Sequence, residues 1–239
     1  MAIPAGFLRI CRANSCSIDQ QAERLLEHYV ELLLDWNSKI NLISRRDEEN
    51  VWYAHILHSI SPLFLVEIPA NSKIIDLGSG GGLPGIPLAI LRPDLRMALL
   101  DSIRKKTTAL EGIVGELGLT NVNIVTGRAE EVCRWEGLAG AFDIVVSRAV
   151  APLKDLVKWS RPFLVSRPFS PPQQSSAALS VRRPLSRPCL MALKGGELEA
   201  EVRQASLKAG AGNIEVIRLA HPGSEELGLV EKHIVVVSF

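Results

Sequence analysis

The sequence predicts an α/β fold with a doubly wound, mostly parallel sheet. Three observations support this prediction. Apolar runs of strand length alternate with amphipathic segments from residue 73 onward, the first run enters a glycine-rich turn at residues 78–85, and two β-rich runs close the chain. Alternating strands and helices are typical of parallel sheets covered by helices, and a closing pair joined by a turn indicates an antiparallel element at one edge.

Length and composition fit this fold. The chain has 239 residues, of which 47% are hydrophobic and 22% charged, and its net charge is +1. That length suits one α/β domain with a modest appendage, the charge gives no overall attraction to nucleic acid, and the longest apolar runs are too short to span a membrane. The cysteines form no CxxC pair, so we expect no metal site, no disulfide and a reduced, cytoplasmic setting.

The first 70 residues predict a helical subdomain. Residues 1–18 are interpreted as a frayed terminus rather than a transit peptide. Apolar spacings of three and four predict a helix over residues 19–37, capped by Ser17 or Asp19, and a second helix over about 48–65. These helices cannot bury their apolar faces alone, so they should pack on the sheet domain of residues 71–239.

Seven strands are predicted in that domain. They cover residues 73–77, 95–101, 123–126, 142–147, 190–193, 214–219 and 233–237. The helices between them are expected over residues 86–91, 103–117, 152–165 and 197–209. This layout is typical of class I S-adenosylmethionine-dependent methyltransferases, which are Rossmann-like with an antiparallel last strand, although the periodicity alone also permits a dehydrogenase.

One segment breaks the pattern. Residues 166–188 hold five prolines with clustered serines, and no acidic residue occurs between Asp155 and Glu197. The composition predicts an irregular, basic insertion. Such a segment could gather a polyanion, or it could be a solvated linker without a role.

The glycine turn predicts a nucleotide-type cofactor site at Asp76, Gly78 and Gly80. Glycine allows tight turning and close ligand approach. The prolines at positions 84 and 87 suit a short, stiff loop better than a helix start whose N–H groups face a pyrophosphate. S-adenosylmethionine has no phosphate, so this loop favours the methyl donor over a dinucleotide.

Later strand ends supply further candidates. Asp101 is the candidate for the ribose hydroxyls, and its alternative role is to cap the next helix. Ala129 and Glu130 follow the third strand, where an adenine edge normally rests; the alternative is that Glu130 and Glu131 are solvated charges. Arg148 ends the fourth strand, where a cation without a partner is costly. It is expected to contact the cofactor carboxylate or the substrate, or else to form an ion pair with Glu130 or Asp76.

The segment after the fourth strand also bears on the target atom. It lacks the Asn/Asp-Pro-Pro-aromatic run that is common in enzymes methylating exocyclic amines, and it offers no cysteine nucleophile. A target that is already nucleophilic, such as guanine N7, needs neither device. We therefore expect no general base.

Several separated motifs carry a family resemblance. They are WNSKINLIS at residues 36–44, HILHS at 55–59, GSGGGLPGIP at 78–87, LLDS at 99–102, SRA at 147–149 and ALKG at 192–195. With them the chain resembles the RsmG family of small-subunit rRNA methyltransferases, also called glucose-inhibited division protein B. The resemblance covers roughly residues 18–165 and resumes near Leu190.

The resemblance implies methylation of N7 of a guanosine in the 530 loop of 16S rRNA by S-adenosylmethionine. It places Gly78, Leu83, Ala129, Glu130 and Arg148 at the cofactor. For the RNA-facing cleft it suggests Asn41, Arg45, Arg46, His55, Lys194 and again Arg148. The partner implied is 16S rRNA, the small ribosomal subunit or an assembly intermediate, bound by a monomer.

This chain departs from the family's usual residues at three positions. Ala54 stands where a basic residue is usual, His58 where an aspartate is usual, and Gly81 where a proline is usual. Two other functions are considered, and the departures at Ala54 and His58 bear on the second. One is a small-molecule methyltransferase with the front helices as a lid, and the other is a non-catalytic, ribosome-associated adenosyl-binding protein.

Overall fold

A mostly parallel sheet forms the centre of this computed structural model, which describes residues 1–148, 150–166, 182–209, 211–224 and 231–239. Within those ranges its strands are β1 Lys73–Leu77, β2 Arg96–Asp101, β3 Val122–Thr126, β4 Ile144–Arg148, β5 Cys189–Gly195, β6 Ile214–Arg218 and β7 Lys232–Ser238. The spatial order is β3-β2-β1-β4-β5-β7-β6. The predicted α/β layout is confirmed.

The antiparallel element lies where the closing pair predicts it. Strands β1 to β5 pair in parallel, whereas β7 runs antiparallel to both β5 and β6. The last strand therefore enters the sheet one position from its edge, and β6 forms the edge itself. Strand order reverses at β1, which has β2 on one side and β4 on the other. A crevice beyond the carboxyl ends of the strands at such a reversal is the usual ligand site of open α/β sheets.

The helices cover both faces of the sheet. They are α1 Ala5–Ala13, α2 Gln20–Lys39, α3 Gly85–Leu91, α4 Arg104–Leu117, α5 Ala129–Val132, α6 Leu153–Ser160 and α7 Glu199–Lys208. Short 3₁₀ turns occupy Arg45–Asp47 and Arg161–Phe163, and a π-helical turn at Trp52–Leu57 leads into His58–Ile60 and Pro62–Leu65. Among the residues described, no helix is both long enough and apolar enough to cross a bilayer.

The N-terminal helices pack on the sheet, as their apolar faces predict. Helix α2 contacts α3 and α4. Leu26 and Leu33 of α2 belong to the same buried cluster as Ile86 and Leu110, while a second cluster covers the opposite face of the sheet. The Asp19 side chain accepts a hydrogen bond from the Ala22 N–H at 2.8 Å, so Asp19 caps α2. The boundary between subdomains at residue 70 stays a prediction.

The extreme N-terminus differs from its prediction. Residues 5–13 form helix α1 instead of a frayed end, because Phe7, Ile10 and Cys11 turn toward the core. The Phe7 ring packs edge-on against Trp52, with ring centroids 5.4 Å apart. The second predicted helix also begins later, after a 3₁₀ turn, and starts with a π-helical turn.

The C-terminal end of the predicted insertion pairs with the N-terminal segment and contacts the sheet domain. Residues 167–181 lie outside the described residues. Arg183–Pro184 form a short parallel pairing with Val66–Glu67, and Leu185 is buried. The Arg187 guanidinium lies 3.6 Å from the Asp143 carboxylate. The C-terminal end of the segment is thus held by backbone pairing and by a charged contact.

Candidate functional site

The glycine loop leaves β1 where the strand order reverses. The Gly78 N–H donates to the Leu100 carbonyl at 2.8 Å, which ties the loop to the end of β2. Gly78 has φ +73°, and a Cβ there would lie 2.6 Å from Cγ2 of Val150. A side chain at this position would meet both backbone strain and a clash. Glycine is therefore required at position 78.

The loop is held from both ends and from the N-terminal helices. The Asp76 carboxylate accepts a hydrogen bond from the Gly85 N–H at 3.0 Å, which joins the end of β1 to the start of α3. The Tyr29 hydroxyl donates to the Gly81 carbonyl at 2.9 Å. Leu33 packs beside Gly81, where an added Cβ would lie 2.7 Å from its Cδ1. Helix α2 thereby fixes the position of the loop.

Asp76 itself lies beneath the loop. Its side chain is fully buried, its Oδ1 has no hydrogen-bond partner, and it is not part of the walls of the two cavities described below. Burial raises its pKa to about 7. The structure does not bring this predicted cofactor residue to the cleft, because the hydrogen bond to Gly85 turns the carboxylate inward.

Asp101 organises the loop from the neighbouring strand. One carboxylate oxygen accepts from the Gly80 N–H at 3.0 Å, and the other accepts from the Ile103 N–H at 2.9 Å. The second bond is the helix-start role that the sequence offers as an alternative. An ionised carboxylate has about four acceptor positions, so two remain for ligand hydroxyls.

Two adjoining cavities open at this edge of the sheet. The smaller, about 230 Å³, is lined by residues that include Leu100, Ala129, Glu130 and Trp159. The larger, about 720 Å³, contains Gly80, Leu83, His55 and Arg148 in its wall. Both cavities share Gly78, Asp101, Ser102 and Val150. The predicted cofactor residues other than Asp76 thus line one connected cleft.

Arg148 contacts a histidine in the larger cavity. Its Nη2 lies 3.1 Å from Nδ1 of His55, whereas no ion pair with Glu130 or Asp76 occurs among the described residues. Burial lowers the pKa of the guanidinium. Burial, then the charge of Arg148, lowers the pKa of His55 to about 4, so the imidazole is neutral near pH 7.

The neutral state of His55 fixes its tautomer. Because Nδ1 accepts from Arg148, the proton resides on Nε2. That nitrogen lies 3.3 Å from Oδ2 of Asp47, close enough for attraction but outside hydrogen-bond geometry. Asp47, His55 and Arg148 therefore form a polar row along the wall.

Several polar wall residues are not anticipated as site residues, among them Asp47, His58, Lys106 and Lys232. His58 lines the larger cavity, where burial, then the charges of Arg148 and Lys232, lower its pKa to about 3. Lys106 and Lys232 line the same cavity. Lys106 lies in the first turn of helix α4, five residues after the predicted ribose ligand Asp101, a spacing that could have revealed it. The position of Lys232 depends on how β7 pairs, which no local pattern shows.

The predicted RNA-facing residues divide into two groups. His55 lies in the wall of the larger cavity, and Asn41, Arg45 and Arg46 are exposed in the segment that contributes Leu42 and Asp47 to it. The structure does not bring Lys194 to this wall. Its ammonium donates to the Ala151 carbonyl at 2.6 Å and pairs with Glu201 at 2.8 Å, and its side chain is only 9% exposed. Those two partners hold Lys194 at the base of helix α6.

The described residues contain no group of three histidine, cysteine or carboxylate side chains placed to hold a metal ion.

Several solved structures share this fold. The chain matches a predicted O-methyltransferase from Agrobacterium tumefaciens with a TM-score of 0.53 at 14% identity, over 77% of this chain and 79% of that one. It matches a variant of MtNAS in complex with S-adenosylmethionine with a TM-score of 0.52 at 13% identity, over 87% of this chain and 72% of that one. The fold is that of the class I S-adenosylmethionine-dependent methyltransferases, as the strand layout predicts.

Sequence comparison identifies the family within that class. Residues 22–227 match the GidB family model, described as rRNA small subunit methyltransferase G. A protein of that name from Bacteroides fragilis is 43% identical over 184 residues, 77% of this chain and 80% of the relative. One from Chlorobium luteolum is 39% identical over 202 residues, 84% of this chain and 74% of the relative. The chain belongs to the GidB family, which confirms the resemblance drawn from its motifs.

Proposed function

We propose that this protein transfers a methyl group from S-adenosylmethionine to N7 of a guanosine in the 530 loop of 16S rRNA. One observation carries the proposal: two cavities adjoin at Gly78, Asp101 and Val150, and the second has several basic residues in its wall. This arrangement provides one compartment for a nucleoside and another in which a second group can approach it. The name shared by the relatives supports small-subunit rRNA as the substrate.

The residues of the smaller cavity fit the adenosine half of the cofactor. Asp101 is 6% exposed and keeps acceptor positions for the two ribose hydroxyls. Ala129 and Glu130 line the part of the wall that follows β3, where they would meet the adenine edge. Gly78 presents backbone instead of a side chain between the two cavities. These residues would hold the nucleoside without any phosphate-binding device.

The larger cavity would receive the methionine end and the target base. Gly80 and Leu83 line it beside Arg148. A guanidinium has five N–H donors, so the contact with His55 leaves Arg148 able to bind a carboxylate or a substrate oxygen. We assign Arg148 the role of a positioning residue. Asp76 would support the loop from below.

The chemistry requires alignment more than proton transfer. S-adenosylmethionine supplies a methyl group already activated by its sulfonium centre. Guanine N7 has a free lone pair at neutral pH, so no general base is assigned. Holding the reacting atoms about 3–3.5 Å apart can supply several kcal/mol of the barrier reduction. His55 and His58 are neutral near pH 7 and add no positive charge beside a purine that becomes positive.

The substrate side would use charged and polar groups at the opening. We assign Asn41, Arg45, Arg46 and His55 to contacts with the RNA, most of them with phosphates. Such contacts make binding strongly salt-dependent. The proposed partner is the small ribosomal subunit or an assembly intermediate, bound by a monomer in the cytoplasm.

Transfer of a labelled methyl group tests this function. The protein is incubated with labelled S-adenosylmethionine and small subunits that lack the modification, and cofactor binding is measured separately by calorimetry. We expect saturable label in 16S rRNA. Cofactor binding with no label in RNA would instead indicate a non-catalytic adenosyl-binding protein. Transfer only to small molecules, with little salt dependence, would indicate a small-molecule methyltransferase.

A further inference from the structure

We propose that Arg104, Lys105 and Lys106, named here the basic rim, form a second phosphate-contacting surface for the RNA substrate. This inference rests on the proposed function and extends it, because these residues follow the cofactor aspartate and lie apart in sequence from Arg45 and Arg46. The bound chemistry is the RNA backbone on either side of the target guanosine.

The charges of the basic rim have no internal explanation. Among the residues that the structure describes, none of the three side chains has an acidic partner in an ion pair. They occupy the first turn of α4, which contains no acidic residue. The positive end of a helix dipole favours acidic side chains, so three cations there cost stability. An anion from outside the chain would offset that cost.

The basic rim is placed beside the reacting groups. Lys106 lines the larger cavity together with Ile103, which precedes the rim and is 47% exposed. Arg104 and Lys105 are exposed next to them. Asp101, whose carboxylate bonds the Ile103 N–H, lies at the boundary of both cavities. A nucleotide entering the larger cavity would carry its flanking phosphates past this turn.

The remaining charges of the cavity leave the rim available to a polyanion. The two acidic residues in the wall of the larger cavity are Asp47 and Asp101. Asp47 faces His55, and Asp101 accepts two backbone hydrogen bonds. Arg45 and Arg46 are exposed next to Asp47. In a chain of net charge +1, this concentration of positive charge around one opening is local.

Salt titration of RNA binding tests the proposal. The wild type is compared with the double variant Arg104→Gln and Lys105→Gln, with Lys106→Gln, and with a control double variant Lys73→Gln and Arg96→Gln. The control removes two exposed cations at the opposite, amino ends of β1 and β2. Binding to unmodified small subunits, and to an RNA fragment containing the 530 loop, is measured from low to moderate salt. Calorimetry with S-adenosylmethionine is performed on each variant.

We expect the rim double variant to reduce the slope of log K against log salt by about 1.4–1.8, the value for two lost phosphate contacts. The control double variant should keep the wild-type slope, and cofactor affinity should change less than about twofold in both. An unchanged slope in the rim variant, or an equal loss in the control, would overturn the proposal. Lys106→Gln alone should reduce the slope by about 0.7–0.9 without loss of cofactor affinity, whereas a loss of cofactor affinity with an unchanged slope would contradict the role of Lys106 in the rim. If the wild type itself neither binds nor methylates the subunit, the proposed function fails independently of the rim.

Discussion

The two cavities of the cleft are built from different parts of the chain. The smaller is enclosed by strand ends and short turns that follow β1, β2 and β3, and the glycine loop, which lines both cavities, is fixed by hydrogen bonds to Leu100, Asp101 and Tyr29. The larger is walled by side chains from the N-terminal segment, α4, β4 and β7. The first depends on backbone geometry, whereas the second depends on charged and histidine side chains. Changes in the two cavities should therefore have different effects.

The largest expected effect is the loss of Arg148 in the larger cavity. Arg148→Ala should lower kcat/KM for rRNA methylation by about 10²–10³, the range found when one positioned donor is removed from a reaction centre. The matched control is Arg92→Ala, which removes a partly buried guanidinium paired with Asp94 away from the cleft. The control should lower thermal stability and keep turnover. Near-normal turnover in Arg148→Ala, with rates measured at saturating cofactor, would show that Arg148 is not a positioning residue.

A backbone change in the smaller cavity should act on the cofactor. Gly78→Ala places a methyl group at φ +73° against Val150, so we expect S-adenosylmethionine affinity to fall about tenfold to a hundredfold. Gly118→Ala imposes a similar φ, +64°, with nothing within 4 Å. The S-adenosylmethionine affinities of the two variants, measured by calorimetry, distinguish the effect of the clash with Val150 from the effect of backbone strain at positive φ. Equal cofactor affinities in the two variants would contradict the account of the glycine loop.

A third change tests the connection between the N-terminal helices and the loop. Tyr29→Phe leaves the buried Gly81 carbonyl without its donor and should lower the free energy of unfolding by about 1–3 kcal/mol. The described residues provide no hydrogen bond for the Tyr53 hydroxyl, so Tyr53→Phe is the control. Urea denaturation with and without cofactor measures both variants. If the two variants unfold alike, helix α2 does not hold the loop through Tyr29.

At neutral pH the smallest effect is that of His58, and it grows as the solution becomes more acidic. Burial lowers the pKa of His58 from 6.5 to about 3, so below pH 6.5 the unfolded chain binds a proton that the folded chain does not. His58 therefore lowers the free energy of unfolding as the pH falls, by up to about 1.4 kcal/mol per pH unit. His58→Gln should flatten the stability profile between pH 6.5 and 4, relative to wild type.

The buried carboxyl of Asp76 acts in the opposite direction. Its raised pKa, about 7, makes the folded chain bind a proton as the pH falls. Asp76 is present in both wild type and His58→Gln, so its contribution cancels when the two stability profiles are subtracted. His28→Gln, at an exposed position, is the control. A profile for His58→Gln parallel to that of wild type would show that His58 is not a buried neutral group.

The sequence was informative where structure is local. The strand β1, the glycine loop and the strand-end position of Asp101 follow from apolar runs and from residues that require special backbone angles. Even the alternative helix-start role of Asp101 was available from its distance to α4. The motifs also identified the family, because several separated short segments matched the same family pattern.

The sequence was less informative where two distant segments meet. Lys194 belongs to a motif, yet its partner Glu201 reaches it only after the chain turns into α7. Lys232 enters the cavity because β7 inserts between β5 and β6. The buried face of α1 depends on Trp52, which lies far along the chain. These are tertiary contacts between segments that lie far apart in the sequence, so no local hydrophobic periodicity predicts them.

Identifying the modified nucleotide and its methylated atom decides whether this protein is a guanine-N7 methyltransferase of the 530 loop. Small subunits lacking the modification are incubated with the protein and S-adenosylmethionine. Nuclease fragments of the 16S rRNA are compared by mass with those from the Arg148→Ala reaction, and the modified nucleoside is identified by chromatography against 7-methylguanosine. We expect a single added methyl group on N7 of one guanosine in the 530 loop, strongly reduced with the variant. A methyl group at a different atom or outside that loop, or none despite bound cofactor, would contradict the proposed function.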